Sequence, residues 1–391
     1  MLSYRTKNIA PSATLSIDAK AKQLKKEGKD VVIFGAGEPD FNTPENIKQA
    51  AIRAINNNIT RYTPVGGMPE LKKAVADKFK RSNNITYDAS EILISCGGKH
   101  TLYNIAMALL DKGDEAILPI PYWVSYEEMI KLAEAKSIFC ETDERFKLTA
   151  KHVEEKINSK TKLLILNTPS NPTGAVVEPA EIKKIAKLAV DNNFYVASDE
   201  VYEFFLYGNK EHLSIASLSD EIKNLTVTAN SVSKTYAMTG WRIGYCGASK
   251  EIIKAMDNLQ SHSTSNPSNI AQMAALEALS GPQDSIKQMV HAFDERRKFM
   301  HKRLNDIDGI SCVEPEGAFY AFPDISETEM SSMEFASKLL DEALVAVVPG
   351  IAFGSDRHVR LSYAASINEI ERGLDRIERW LKQKTVKIVT D

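Results

Sequence analysis

Lys234 stands in the segment SVSKTYAMTGWRIG, directly after the strand-like run LTVTANS, with the hydroxyls of Ser231 and Ser233 just before it and Arg242 eight residues on. A lone lysine after a strand is usually a surface residue, but one flanked by Ser, Thr, Tyr, Gly and Trp does not belong to a solvated face. A desolvated lysine amine forms imines readily, because burial disfavours its ammonium form. Ser231 and Arg242 suit a phosphate, the arginine offering a planar fork of donors. Asp199 ends the run FYVAS in ASDE, where a carboxylate can either hold a cationic ring nitrogen or cap the next helix. In CGGKH, after EILIS, two glycines precede a helix start whose N–H groups favour an anion, although a glycine pair there also reads as a plain tight turn. It is not a P-loop: the first Walker glycine would fall at Leu93, and His100 replaces the hydroxyl residue. GAGEPD at 35–40 matches a dinucleotide fingerprint superficially, but Asp40 takes the place of the last glycine and Pro39 interrupts the turn.

The elements that must position these groups follow from the hydrophobic pattern. PENIKQAAIRAIN, PELKKAVADKFKRS, HTLYNIAMALLD and WVSYEEMIKLAE have helical spacing, whereas EILIS, EAILPIP, KLLILN, FYVASDE, LTVTANS and YCGAS read as short strands. Such alternation predicts βαβ units, a mostly parallel sheet and an α/β fold, with ligands bound beyond the carboxyl ends of the strands. This large domain is expected at 39–285. From about Pro282 a long charged helix, SIKQMVHAFDERRKFMHKRLNDI, leads into GISCVEPEGAFYAFPDI, VRLSYA and a C-terminal helix, a smaller α+β domain. An amphipathic helix near 16–28 should pack against it, so the small domain combines 1–38 with 286–391. The charge run KQLKKEGKD from Lys22 reads as a solvated helix face.

Composition narrows the classes. At 391 residues, 43% hydrophobic and 26% charged, the chain reads as a globular protein of two or three domains. Forty-nine Lys and Arg against 52 Asp and Glu give a net charge of -3, so no broad basic field for nucleic acid is expected. Four scattered cysteines make neither a disulfide framework nor, with the scattered histidines, a soft-ligand metal site. No apolar run approaches the roughly 18 residues of a membrane helix, and the N-terminal segment lacks the apolar core of a secretory signal. The expectation is a cytoplasmic protein with no metal, membrane or nucleic-acid partner.

Phosphate donors, a carboxylate for a ring nitrogen and a reactive lysine together describe one ligand, pyridoxal 5'-phosphate. SVSKTYAMTGWRIG resembles the class-I aminotransferase attachment signature, and AGEPDF, YTPVGGMPEL, the GGK turn, NTPSNPTG, SDEVYE and VRLSYA agree with that family along nearly the whole chain. With PSAT near the start and PYWVSY, it is most similar to the bacterial aspartate aminotransferase branch.

The resemblance implies a fold type I pyridoxal-phosphate transferase, its mostly parallel central sheet flanked by helices, with a smaller α+β domain that closes over the substrate on hinges near 30–40 and 280–290. Lys234 would carry the cofactor as an imine and, once freed, move the substrate's α-proton. Asp199 would pair with the pyridine nitrogen, Asn171 and Tyr202 would hydrogen-bond the phenolic oxygen, and Trp123 would stack on the ring. Gly98, Lys99, Ser231 and Arg242 would surround the phosphate. Tyr62 would reach the phosphate of a neighbouring subunit, making a homodimer with shared sites. Arg360 would clamp the substrate α-carboxylate beside the backbone of Gly37, with Trp123 and Asn171 also facing substrate. The distal carboxylate would fall to Lys99, Ser12 and Thr14, so Lys99 has two candidate tasks, of which the substrate-side one is favoured. Members that use prephenate commonly carry Lys where this chain has Ala10, which argues against that substrate.

The implied reaction is reversible transfer of the amino group from L-aspartate to 2-oxoglutarate with ping-pong kinetics. The alternatives are another class-I aminotransferase, of aromatic, alanine or prephenate/arogenate specificity, or a lyase of the same fold. A ligand-sensing regulator is disfavoured, because the sequence leaves no room for a DNA-binding module before PSAT or after VRLSYA.

Overall fold

The structure is a computed structural model and describes residues 3–9 and 13–390, without the side chains at 4, 5, 13–16, 18 and 385–390. Ala10, Ser12 and the side chain of Thr14 therefore lie outside the described residues. The strands are β1 (Val32–Ile33), β2 (Ile92–Ser95), β3 (Glu115–Pro119), β4 (Lys136–Cys140), β5 (Thr161–Asn167), β6 (Tyr195–Asp199), β7 (Thr226–Ser231), β8 (Gly244–Gly247), β9 (Tyr320–Ala321), β10 (Val345–Ala346), β11 (Val348–Pro349) and β12 (Val359–Ser362).

Seven of them form one sheet in the order β2-β8-β7-β6-β5-β3-β4. Its pairs are parallel except where β8 runs antiparallel to β2 and β7. Inner strands such as LLIL in β5 are apolar at every position because helices cover both faces of the sheet. Leu163 and Ile165 pack with the helices at Gly98–Leu109 and Ser125–Leu132, while Leu164 and Leu166 pack with the helix at Pro179–Asn192 on the other side. That last helix starts with proline at its first turn and ends on Asn193 in the left-handed conformation, both favourable terminal residues.

The register matters most for the site. Asn167 of β5 lies opposite Asp199 of β6, and Asp199 lies opposite Ala229 of β7. The carboxyl ends of three adjacent strands thus present Asn167, Asp199 and Ser231 along one edge.

A second core joins both ends of the chain. Val32 and Phe34 pack with Met289, Phe293, Phe319, Leu361, Ile370, Leu374 and Trp380. β1 pairs with β10, and β12 lies between β11 and β9 in an antiparallel three-stranded sheet. The helix Ile367–Thr390 approaches closely at Gly373, where a Cβ would meet the Phe34 ring at 2.4 Å. Two features were absent from the sequence reading: β4, an edge strand with half-exposed residues, and the antiparallel direction of β8.

Candidate active site

Beyond the carboxyl ends of β5, β6 and β7 lies a cavity of about 490 Å³. Among the residues singled out from sequence, its walls carry Gly37, Gly98, Lys99, Trp123, Asn171, Asp199, Tyr202, Ser231, Lys234, Arg242 and Arg360. Tyr62 is not part of this wall; it is 92% exposed on the chain's own surface.

Lys234 sits in the short helix Val232–Thr235, directly after β7. Ser231 caps that helix, its Oγ accepting from the Ser233 N–H at 3.1 Å. The Lys234 amine donates to the Gly37 carbonyl at 2.5 Å. Its pKa is lowered to about 8, chiefly by desolvation; Arg360 and Arg242 push the same way, while Glu38 and Asp199 oppose. The group is thus a readily deprotonated amine.

Asp199 is buried at the end of β6 and accepts from the Tyr126 hydroxyl at 2.6 Å and from the Val201 N–H at 3.3 Å. Burial dominates and pushes its pKa up to about 6 despite both hydrogen bonds. A cation placed opposite would hold it ionised.

The GGK turn opens the helix Gly98–Leu109, whose first N–H groups have no intrahelical acceptor by geometry. Gly97 has φ 97°, a conformation that favours glycine, and a Cβ there would lie 2.3 Å from the Arg242 guanidinium and displace it. Arg242 donates to the Thr239 carbonyl at 2.8 Å and leaves further donors at the cavity wall.

Arg360 comes from β12, the middle strand of the three-stranded sheet, and is 3% exposed. It donates to Asn171 Oδ1 and to the Gly35 carbonyl, both at 2.9 Å, and lies 4.5 Å from the Tyr320 ring centre. Its Nε is buried with no partner. A buried guanidinium with an orphaned donor and, among the described residues, no carboxylate bound to it is poised for an anionic ligand. Asn171, with its Oδ1 occupied by Arg360, keeps its amide NH₂ for donation. Tyr202 and Tyr320 share a hydroxyl hydrogen bond of 2.8 Å. Trp123 packs edge-on against Tyr126, with the Lys99 Nζ 5.0 Å from its ring centre.

This donor set fits pyridoxal phosphate. Arg242, Ser231 and the helix start at Gly98 and Lys99 suit the phosphate, Asp199 the ring nitrogen, Asn171 and Tyr202 the phenolic oxygen, Trp123 the ring face and Lys234 the carbonyl carbon.

Sequence reading missed Tyr126, Asn167, Tyr320, Glu38 and Lys22, all of which line the cavity. Tyr126 had a signal, three residues after Trp123 in PYWVSY. Tyr320 had none, because its role arises from contacts with Tyr202 and Arg360 far away in sequence.

Behind the site, Glu200, Glu203 and His212 bring potential ligand atoms within 4.8 Å of one another. Other donors already engage these carboxylates. Lys78 pairs with Glu203, and Asn83 donates to Glu200 at 2.9 Å and to Glu203 at 2.7 Å. Asn230 donates to Glu203 at 2.6 Å and accepts the Ser231 N–H at 2.7 Å, linking this buried group to the turn that carries Lys234.

A family model described as aminotransferase class I and II matches residues 29–377. The aspartate aminotransferase of Bacillus sp. (strain YM-2) is 49% identical over 389 residues, 98% of this chain and 99% of its own. That of Bacillus subtilis (strain 168) is 47% identical, again over 98% of this chain and 99% of its own. The probable aspartate/prephenate aminotransferase of Rickettsia felis is 47% identical, with 97% of this chain and 96% of its own covered. Among solved structures, the aspartate aminotransferase of Thermus thermophilus with maleate superposes with a TM-score of 0.94 at 42% identity, over 97% of this chain and 99% of that one.

Proposed function

The chain belongs to the class I and II aminotransferases, and from that premise we propose that it binds pyridoxal phosphate in the cavity at Lys234 and transfers the amino group of L-aspartate to 2-oxoglutarate. The observation that carries this reading is the convergence of Lys234, Asp199 and the orphaned Arg360 on one cavity.

When bound, pyridoxal phosphate supplies an electrophilic carbonyl and an electron-accepting ring. Asp199 holds positive charge at the ring nitrogen, and a cation there stabilises the buried carboxylate in return. Asn171 and Tyr202 donate to the phenolic oxygen, while Arg242, Ser231 and the helix start at Gly98 anchor the phosphate. Arg360 binds the substrate's α-carboxylate through its fork of donors and so orients the α-carbon. Lys234 Nζ takes the proton from that carbon and returns one; a pKa of about 8 suits both directions near neutrality.

Lys99 serves the distal carboxylate, supported by its place at the exposed rim above Trp123. The active unit is a homodimer in which Tyr62 reaches the partner's site, supported by its near-complete exposure outside its own cavity. The large domain spans 39–285, and the small one combines 1–38 with 286–391, supported by the core shared by Phe34 and the C-terminal helix. Among the described residues no helix is long and apolar enough to cross a membrane.

The test is a half-reaction screen. The purified protein, loaded with pyridoxal phosphate, is mixed with single amino acids while its visible absorbance is followed. Aspartate and glutamate should discharge the colour fastest. Faster loss with aromatic amino acids or alanine would overturn the substrate; ammonia release without an oxo acid would point to a lyase.

A further inference from the structure

Two tyrosine hydroxyls meet at the cavity wall from different sheets. Tyr202 follows β6 of the seven-stranded sheet, and Tyr320 opens β9 of the three-stranded one. Both are buried and both line the cavity. Their Oη atoms lie 2.8 Å apart, and their rings cross at 85°. β12 pairs with β9, Ser362 lying opposite Tyr320, so Tyr320 and Arg360 reach the cavity from neighbouring strands. The Arg360 guanidinium stands 4.5 Å from the Tyr320 ring centre. On a further side is Gly37, where a Cβ would come within 3.2 Å of the Tyr320 hydroxyl. The carbonyl of that same glycine receives the Lys234 amine.

The protons of this pair decide what it can do. Burial raises the pKa of both hydroxyls, that of Tyr202 well above the usual phenol value; Arg360 opposes this at both, while Asp199 adds to it at Tyr202 and Glu38 at Tyr320. Both hydroxyls are therefore protonated near neutrality. They hold two protons, and one of these makes the bond between them. Among the described residues neither hydroxyl has another hydrogen-bond partner. If Tyr202 donated to Tyr320, Tyr202 could only accept from a ligand. If Tyr320 donates, the Tyr202 proton is free for one. The Arg360 guanidinium lies over the ring of Tyr320 and that of Phe353, and a cation there draws electrons from the Tyr320 phenol, which favours Tyr320 as the donor.

We propose that Tyr320 is a positioning residue for the reaction: its hydroxyl donates to Tyr202 and so commits the Tyr202 proton to the phenolic oxygen of pyridoxal phosphate. The assignment rests on Tyr202 meeting that oxygen, as proposed above. An oxygen that accepts one hydrogen bond donates the next more strongly, by roughly 10–30%. Tyr320 thus acts on the cofactor through Tyr202 without touching it.

The test reads the visible absorbance of the pyridoxal-phosphate-loaded protein against pH, with no substrate present. The band moves when the proton shared between the phenolic oxygen and the Lys234 nitrogen leaves. A donor to that oxygen competes with the proton, so losing the donor raises the midpoint pH. Tyr202→Phe removes a hydrogen bond to a charged oxygen and should raise the midpoint by about 1–2 pH units. Tyr320→Phe keeps the ring against Arg360 and removes only the support to Tyr202, so it should raise the midpoint by about 0.3 unit. In the Tyr202→Phe background, Tyr320→Phe should add nothing, because no Tyr202 proton is left to direct. With the Tyr202→Phe shift present, a Tyr320→Phe midpoint within about 0.1 unit of the parent overturns the proposal and leaves the functional reading standing. Additive shifts in the double variant, or loss of cofactor uptake by Tyr320→Phe, do the same. A midpoint unmoved by Tyr202→Phe, or a parent protein that forms no visible band, overturns the functional reading and this assignment with it.

Discussion

The amine of Lys234 is held in a poor place for a charge. Its folded pKa of about 8 lies below the ordinary lysine value, so the native chain binds fewer protons there than the unfolded chain between pH 8 and 10.5. Stability contributed by this group therefore rises with pH across that window, and below it the buried ammonium is a cost. Replacing Lys234 by Met in the cofactor-free chain should raise stability at pH 7 by about 1–3 kcal/mol, the gain shrinking as pH climbs from 8 toward 10. Urea unfolding at a series of pH values checks this, and a gain that does not vary with pH sinks the explanation. The same variant loaded with cofactor should have no measurable transaminase activity. Arg360→Lys should raise KM for both amino and oxo acid about 100-fold, since a point charge does not replace a planar fork. Steady-state kinetics with aspartate and 2-oxoglutarate checks this, and an unchanged KM would remove Arg360 from substrate binding.

At the scale of elements, aligned strand ends do the positioning, and this is where legibility from sequence divides. Asp199, Asn171 and Lys234 could be picked out because each closes an apolar strand or follows one, so local pattern predicts a place beyond the sheet. The direction of β8 could not, because a four-residue apolar strand pairs equally well either way until its neighbours are known. β4 escaped notice because an edge strand need not be apolar on both sides. Lys78 was hidden more thoroughly. It shares the helix Pro69–Asn83 with the buried Leu71, Ala74, Val75 and Phe79, and its burial is tolerable because Glu203, 125 residues later, pairs with its ammonium, which also donates to Asn83 Oδ1. Lys78→Met leaves that carboxylate without its cation and should lower stability by about 3–5 kcal/mol, with Lys78→Met/Glu203→Gln recovering part of the loss in thermal melts. Tyr126→Phe removes one of two hydrogen bonds to Asp199. It should raise the carboxyl pKa further and cost about 1.5–3 kcal/mol of transition-state stabilisation, read as a roughly 10- to 100-fold drop in kcat/KM.

For the whole molecule, the fold type I arrangement expected from sequence is the one found, a mostly parallel sheet with helices on both faces. What one chain cannot display is the use of Tyr62. If it completes a neighbour's site, chains carrying Lys234→Ala and chains carrying Tyr62→Ala should complement each other. A hybrid dimer then contains one site with both residues intact, and activity should rise when the two variants are unfolded and refolded together. Mixing without any gain would return Tyr62 to the role of a surface residue.

Arg360 closes on the carbonyl of Gly35, and Gly373 on the ring of Phe34. A polypeptide emerging from the ribosome therefore carries the amine of position 234 well before it has the guanidinium that neutralises an incoming acid. The Gly35 carbonyl meets this partner only once residue 360 has been added. A prematurely released fragment has a base but no means of holding the acid from which that base should take a proton.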